Sequence, residues 1–201
     1  MGTVWQSNIG EGLMFSVFKG VSFLKFDEHF YISMVTALAI IKTLEKYKIP
    51  KLSIKWPNDI LSENKKVCGV LIENSIKNNQ FKDSIIGIGI NVNQTQFENL
   101  PNASSLQIMT GKIFNRDELL NSLVKHLKIY CALLQEKKMD AIKKDYESYL
   151  FRKNKPSTFK DKEGEMFSGF IKSVSQTGSL QVLLEDAVLK EYDLKEIKLL
   201  Y

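Results

Sequence analysis

Apolar and polar positions change period several times along the 201 residues, and those changes divide the chain into elements. Leu13 to Val17 reads as a strand that ends near Gly20. From Asp27 to Tyr47, residues Phe30, Met34, Val35, Leu38, Ile41 and Leu44 recur at helical spacing. They predict an amphipathic helix, which Ile49-Pro50 stops. Shorter runs follow at Leu52–Trp56, Ile60–Ser62, Lys66–Glu73 and Ser84–Asn93, separated by Asn-, Lys- and Ser-rich connections, and these read as strands. A polar loop, Gln94 to Ser105, leads to helical patterns at Arg116–Glu136 and Met139–Leu150. Lys153-Asn154-Lys155-Pro156 has the character of a linker. Beyond it, Ser157–Lys160, Met166–Val174, Leu180–Leu184 and Val188–Asp193 read as four short strands with Gly164, Gly169 and Gly178 at turns. The pattern predicts an α+β fold over residues 1–153, a mixed β-sheet with helices. A small β-barrel is expected over residues 154–201.

Composition narrows the chemistry by exclusion. Hydrophobic residues make up 44% and charged residues 25%, a globular balance that removes disordered and collagen-like classes. The longest apolar runs, such as Met34 to Ile41, are too short to cross a bilayer, and no cationic-then-apolar leader opens the chain. The expected location is the cytoplasm. The net charge of +5 favours anionic partners but is spread along the chain and supports no nucleic-acid claim by itself. Cys68 and Cys131 lie far apart, and with His29 and His126 they offer no zinc spacing and no disulfide framework, so no metal site is expected. Cys68, within an apolar run, reads as a buried inert thiol.

Two stretches carry candidate chemistry. "IGIGINVN" contains Gly87 and Gly89, but Val92 stands where a dinucleotide fingerprint needs a third glycine, and no helix opens there. Glycines in a strand admit another backbone or a ligand at close range. Asn91, polar at the end of this apolar strand, either caps the strand or hydrogen-bonds a ligand. The second stretch is "SIKWPNDILSENKKVCGVLIE", Ser53 to Glu73. Pro57, Asn58 and Asp59 suit a tight turn and are explained by it. Lys55 and Lys66 are not, because each sits beside strand residues. Strict alternation puts Lys66 on one face with Cys68, Val70 and Ile72, and Val67, Gly69, Leu71 and Glu73 on the other. A lysine on an otherwise apolar face needs an anionic partner or a route to solvent.

"KWPNDIL", "KKVCGVLIE" and "GIGINVN", in this order and spacing, closely resemble the biotin–protein ligases. "LPNASSL" (Leu100–Leu106) is similar to that family's adenine-side loop. "GFIKSVSQTGSL" and "KEYDLKEI" resemble its small SH3-like barrel, and Gly2–Val17 resembles the tail of its phosphate-binding loop and the strand after it. The resemblance implies that biotin and ATP, with Mg2+, are joined to biotinyl-5′-AMP, and that biotin then passes to one lysine of a biotin carboxyl carrier domain of acetyl-CoA carboxylase or a related carboxylase. By the same resemblance Lys66 reaches the biotin carboxylate and the acyl-phosphate oxygens, with Gly69 beside it. Lys55 adds positive potential. Asn58 and Asp59 orient the nucleotide or its magnesium; no dedicated general base is obvious for the second step, and Asp59 is a candidate to help the incoming lysine lose its proton. Asn91 and Ala103 lie by the adenine, and Trp5 offers the indole on which it stacks, against the plainer reading of an indole packed on the sheet.

The chain departs from the family at its front. Relatives carry several dozen residues before this point, including a Ser-Thr-Asn segment and the loop arginines, and here the numbering begins inside that loop. Either Met1 is an internal methionine and the segment lies upstream, or the protein is shortened and impaired. Lipoate ligases share the acyl-adenylate logic, and a degenerate, non-catalytic ligase acting as a binding module is a rival of another class. No winged-helix DNA-binding domain and no membrane segment are expected, and whether the ligase forms a homodimer stays open.

Overall fold

The computed structural model describes residues 10–77, 80–98 and 100–201. Its first sheet has the order β1-β5-β4-β3-β2, from β1 (Gly12–Gly20), β2 (Leu52–Lys55), β3 (Asp59–Ser62), β4 (Lys65–Lys77) and β5 (Gln80–Asn91). Among the described residues every ladder of this sheet is antiparallel, which corrects the expected mixed sheet. The parallel pairings are isolated bridges, Ile54 with Leu150 and Lys66 with Ala103. Hairpin connections explain this for β2 to β5, since short turns join only antiparallel neighbours; β1 reaches β5 across the intervening helix and strands. Glu63 and Asn64, both at positive φ (49° and 68°), form the two-residue turn between β3 and β4.

Helix α1 (Phe30–Lys46) follows a single 3-10 turn at Phe26–Glu28. It contacts β2, β3 and β4 and also α3 (Arg116–Gln135) and α4 (Met139–Ser148). Packed from both sides, it buries far more than one stripe: Met34, Val35, Leu38, Ile40, Ile41 and Leu44 are all essentially inaccessible. Thr36 and Thr43 are also buried, and their hydroxyls donate to the carbonyls of Ile32 and Ala39 at 2.7 Å each. At the start of α3, the Asn115 side chain accepts from the N–H groups of Asp117 and Glu118. Acidic residues in that first turn suit the positive end of the helix dipole. A short helix α2 (Leu106–Thr110), absent from the sequence reading, is capped by Ser105 and ends at Gly111 in the left-handed conformation.

A second antiparallel sheet has the order β10-β6-β7-β8-β9, from β6 (Pro156–Asp161), β7 (Met166–Val174), β8 (Leu180–Leu184), β9 (Leu189–Tyr192) and β10 (Ile197–Leu200). Gly169 lies inside β7, correcting its assignment to a turn; a Cβ there would meet Val182 Cγ1 at 2.6 Å, so close strand packing demands glycine. Phe159, Phe167 and Tyr192 stack at 5.4 and 5.6 Å between ring centres. The two sheets meet through specific bonds: the Trp56 indole donates to the Gly178 carbonyl at 2.8 Å, and Glu147 of α4 accepts from Ser173 of β7. Among the described residues no helix is long and apolar enough to cross a membrane.

Candidate functional site

The Trp56-Pro57-Asn58 turn joins β2 to β3 and is locked onto β4. The Asn58 side-chain amide donates to the Val70 carbonyl at 2.7 Å, and the Val70 N–H donates back to the Asn58 carbonyl at 3.0 Å. This fixes Asp59 at the first position of β3, directly opposite Lys55 on one side and Gly69 on the other. Lys66 reaches the same carboxylate by an irregular route. Ile60 pairs with Cys68 but Leu61 pairs with Lys66, so β4 carries an extra residue, Val67, at a bulge. The bulge reverses the alternation and turns Lys66 to the face of Gly69 and Leu71. That corrects the expectation that Lys66 shares a face with Cys68, Val70 and Ile72.

Three charges therefore converge from three strands. Lys66 Nζ lies 2.6 Å from Asp59 Oδ1, and Lys55 Nζ lies 3.9 Å from Asp59 Oδ2. The Asp59 side chain keeps 17% exposure, Lys55 23% and Lys66 34%, so the group is shielded but reachable. Burial holds the Lys55 ammonium below the usual lysine range; Asp59 opposes that shift, while Lys66 and Lys198 add to it by repulsion. Cys68 lies beneath the site and is fully buried, which pushes its thiol well up and leaves it inert, as its apolar surroundings predict.

Lys66, Asp59 and Asn58 line one end of an open cleft of about 580 Å³. Its floor is bare sheet: Gly69 pairs with Gly89, and Gly87 lies between Leu71 and Ser16 in the next row. A Cβ at Gly87 would meet its neighbours no closer than 3.4 Å, so local packing does not exclude a side chain there. What its absence does is deepen the cleft. Met14, Phe15, Val70, Leu71 and Ile88 supply apolar walls. The sequence reading singled out Gly69 but not Met14, Phe15 or Ser16, whose strand gives no sign of what lies across from it.

The remaining expected residues divide. Lys55 lines a separate, smaller cleft of about 310 Å³ against the second sheet, so it stands between two hollows. Ala103 borders no described cleft wall but bridges to Lys66 by backbone: the Lys66 N–H donates to the Asn102 carbonyl at 2.7 Å and the Ser104 N–H to the Lys66 carbonyl at 2.9 Å. Asn91 is buried, and its amide donates to the Ser104 carbonyl at 2.9 Å, fastening the same loop. The Ser104 hydroxyl beside it is buried without a hydrogen-bond partner among the described residues. Trp5 lies outside the described residues. Among those residues no group of three or more His, Cys, Asp or Glu could hold a metal ion, and Asp59 is the acidic side chain lining the cleft of about 580 Å³.

The arrangement suits a substrate carrying an apolar body and an anionic head. Residues 1–91 match the family described as the biotin/lipoate A/B protein ligase family. The bifunctional ligase/repressor BirA of Bacillus spizizenii is 31% identical over 129 residues, 62% of this chain and 39% of that protein. Against the BirA of Escherichia coli the match is 25% identical and covers 84% of this chain and 52% of the relative. The chain thus spans about half or less of the length of these curated relatives. Among solved structures, the biotin protein ligase of Aquifex aeolicus superposes with a TM-score of 0.76 at 30% identity, covering 94% of this chain and 82% of that one. With so much of a solved ligase matched in both sequence and fold, the chain belongs to the biotin protein ligase family.

Proposed function

We propose that this protein activates biotin with ATP and transfers it to a lysine of a biotin carboxyl carrier domain. The observation that carries the reading is the Asp59–Lys66 pair at the end of an apolar, glycine-floored cleft, with Lys55 behind it 3.9 Å from Asp59. The biotin protein ligase of Aquifex aeolicus has been solved in complex with biotin and ATP, which supplies the substrates. In the first step a biotin carboxylate oxygen attacks the α-phosphorus, the bond to the β-phosphate oxygen breaks, and pyrophosphate leaves. Two anions must approach each other, and Lys66, with Lys55 behind it, offsets that repulsion. In the second step the acceptor amine attacks the acyl carbon, AMP leaves and an amide forms. Asp59 is placed to hold Lys66 and to receive a proton near the cleft, and as a lone carboxylate it fits a magnesium ion held mainly by nucleotide phosphates.

Under this reading Gly69 leaves room for biotin, Asn58 and Asn91 hold the turn and loop that frame the nucleotide, and Ala103 lies on its adenine side. Residues 1–153 form the catalytic domain, and residues 154–201 form an SH3-like barrel; the five-stranded order and stacked aromatic interior support the latter. The test uses purified protein, ATP, Mg2+, a carrier domain and either biotin or lipoate. Biotin-dependent pyrophosphate release and carrier labelling are expected, with Lys66→Met slowing biotinyl-AMP formation by about 10²–10³-fold in protein that circular dichroism shows to be folded. Transfer of lipoate and not biotin, or full activity in Lys66→Met, overturns the proposal.

A further inference from the structure

Tyr201 stands out in no sequence pattern, yet its ring covers the ammonium of Lys55, with 4.9 Å from Nζ to the ring centre. Phe151 meets the same ring edge-on at 5.2 Å between centres and steadies it. The preceding residue, Leu200, is paired with Thr158 at the end of β10, so the backbone entering Tyr201 is set by the second sheet. Lys198, Leu199, Trp56 and Phe151 then line the smaller cleft together with Lys55.

Lys55 needs such a support. Its ammonium is 3.9 Å from Asp59, beyond hydrogen-bonding distance, because Lys66 occupies that carboxylate at 2.6 Å. Lys66 and Lys198 both repel it. A lysine stem left to itself in that field gains entropy by swinging away. An aromatic face attracts a cation through its quadrupole and carries no net charge. It can therefore hold the ammonium without cancelling it. A second carboxylate in the same place would hold Lys55 but remove the positive potential that an anionic substrate needs.

We infer that Tyr201 is a positioning residue for Lys55: its ring fixes the ammonium beside Asp59, behind the Asp59–Lys66 cleft, and leaves the charge available, so the residue that follows the last strand of the second sheet supports the site. The catalytic consequence rests on the ligase reading above; the placement of ring on ammonium does not. The test compares Tyr201→Leu and Tyr201→Phe in the full chain by two readouts. In NMR spectra with labelled lysine, the Lys55 ε-methylene protons should be shifted upfield by the ring, lose that shift in Tyr201→Leu and keep it in Tyr201→Phe. The maximal rate of biotinyl-AMP formation should fall about tenfold in Tyr201→Leu and recover to within about threefold of wild type in Tyr201→Phe. Unshifted Lys55 protons in the wild type, or a wild-type rate in Tyr201→Leu, overturns the inference. If the wild type forms no biotinyl-AMP, the ligase reading fails, and the placement then stands or falls on the NMR comparison alone.

Discussion

Glu147 is the residue through which α4 grips the second sheet, and replacing it by glutamine should loosen that grip measurably. One carboxylate oxygen takes the Ser173 hydroxyl at 2.6 Å and the Val174 N–H at 3.3 Å, and the other takes the Lys153 ammonium at 2.7 Å. The Glu147 side chain is only 14% exposed and Lys153 29%, so water replaces little of what is lost. A glutamine keeps the shape but turns its NH2 toward one of these donors. Hydrogen bonds to charged groups contribute about 1.5–3 kcal/mol, and we expect Glu147→Gln to cost about 2 kcal/mol. For a chain of this size that is a fall in Tm of roughly 4–8 °C. The pH dependence is equally specific. Burial alone would raise the Glu147 carboxyl, but the bonds from Lys153 and Ser173, the Lys153 charge and the Val174 N–H outweigh it and hold it below the usual range. A carboxyl depressed by folding stabilises above its unfolded value of about 4.3 and loses that contribution as pH falls through the folded value. Urea titrations of wild type and Glu147→Gln should therefore differ fully at pH 7 and converge below about pH 4. A difference under about 0.5 kcal/mol at pH 7, or one that persists undiminished into acid, refutes the argument.

The Tyr146 hydroxyl is buried without a partner among the described residues, so Tyr146→Phe should be neutral or stabilising by up to about 1 kcal/mol in the same titrations, and a clear loss would reveal a partner. Gly178, at φ +101°, would place a Cβ 2.5 Å from the Phe30 ring, whereas Gly164, at +96°, faces only the flexible end of Lys160. Gly178→Ala should then cost more than Gly164→Ala by about 1–3 kcal/mol; equal costs would mean that Phe30 moves freely. Gly87→Val should fill the cleft floor, weakening biotin binding at least about tenfold by calorimetry while Tm moves by no more than about 3 °C; unchanged affinity would place the ligand elsewhere.

Helices α3 and α4 and most strands were legible in the sequence because their cue is local, a period of 3.6 or 2. Burial of α1 on nearly all sides was less legible, since its second partner surface comes from residues some eighty positions later. Strand β10 was missed because Ile197–Leu200 is short and is made a strand by pairing with β6, forty residues upstream. The apolar cleft walls at Met14 and Phe15 escaped notice for the same reason. Tyr201 is the limiting case, a single aromatic whose meaning lies wholly in a contact with Lys55, 146 positions earlier in the sequence.

Lys66 shows how one residue of register decides the chemistry. Counted by strict alternation from Cys68, Val70 and Ile72, it belongs on the buried face toward α1. An ammonium there would sit among Ile60, Val67 and Cys68, all fully buried, with no carboxylate opposite, at a cost that folding could not bear. The extra residue Val67 removes that conflict by keeping its own side chain buried and turning Lys66 toward Asp59. The bulge is stabilised in turn by the Asn102–Ser104 loop, whose backbone bonds Lys66 on both its N–H and its carbonyl. Position 66 thus carries its charge into the cleft because the hydrophobic pattern of β4 is interrupted there, and the interruption, more than the lysine itself, marks the strand as part of a site.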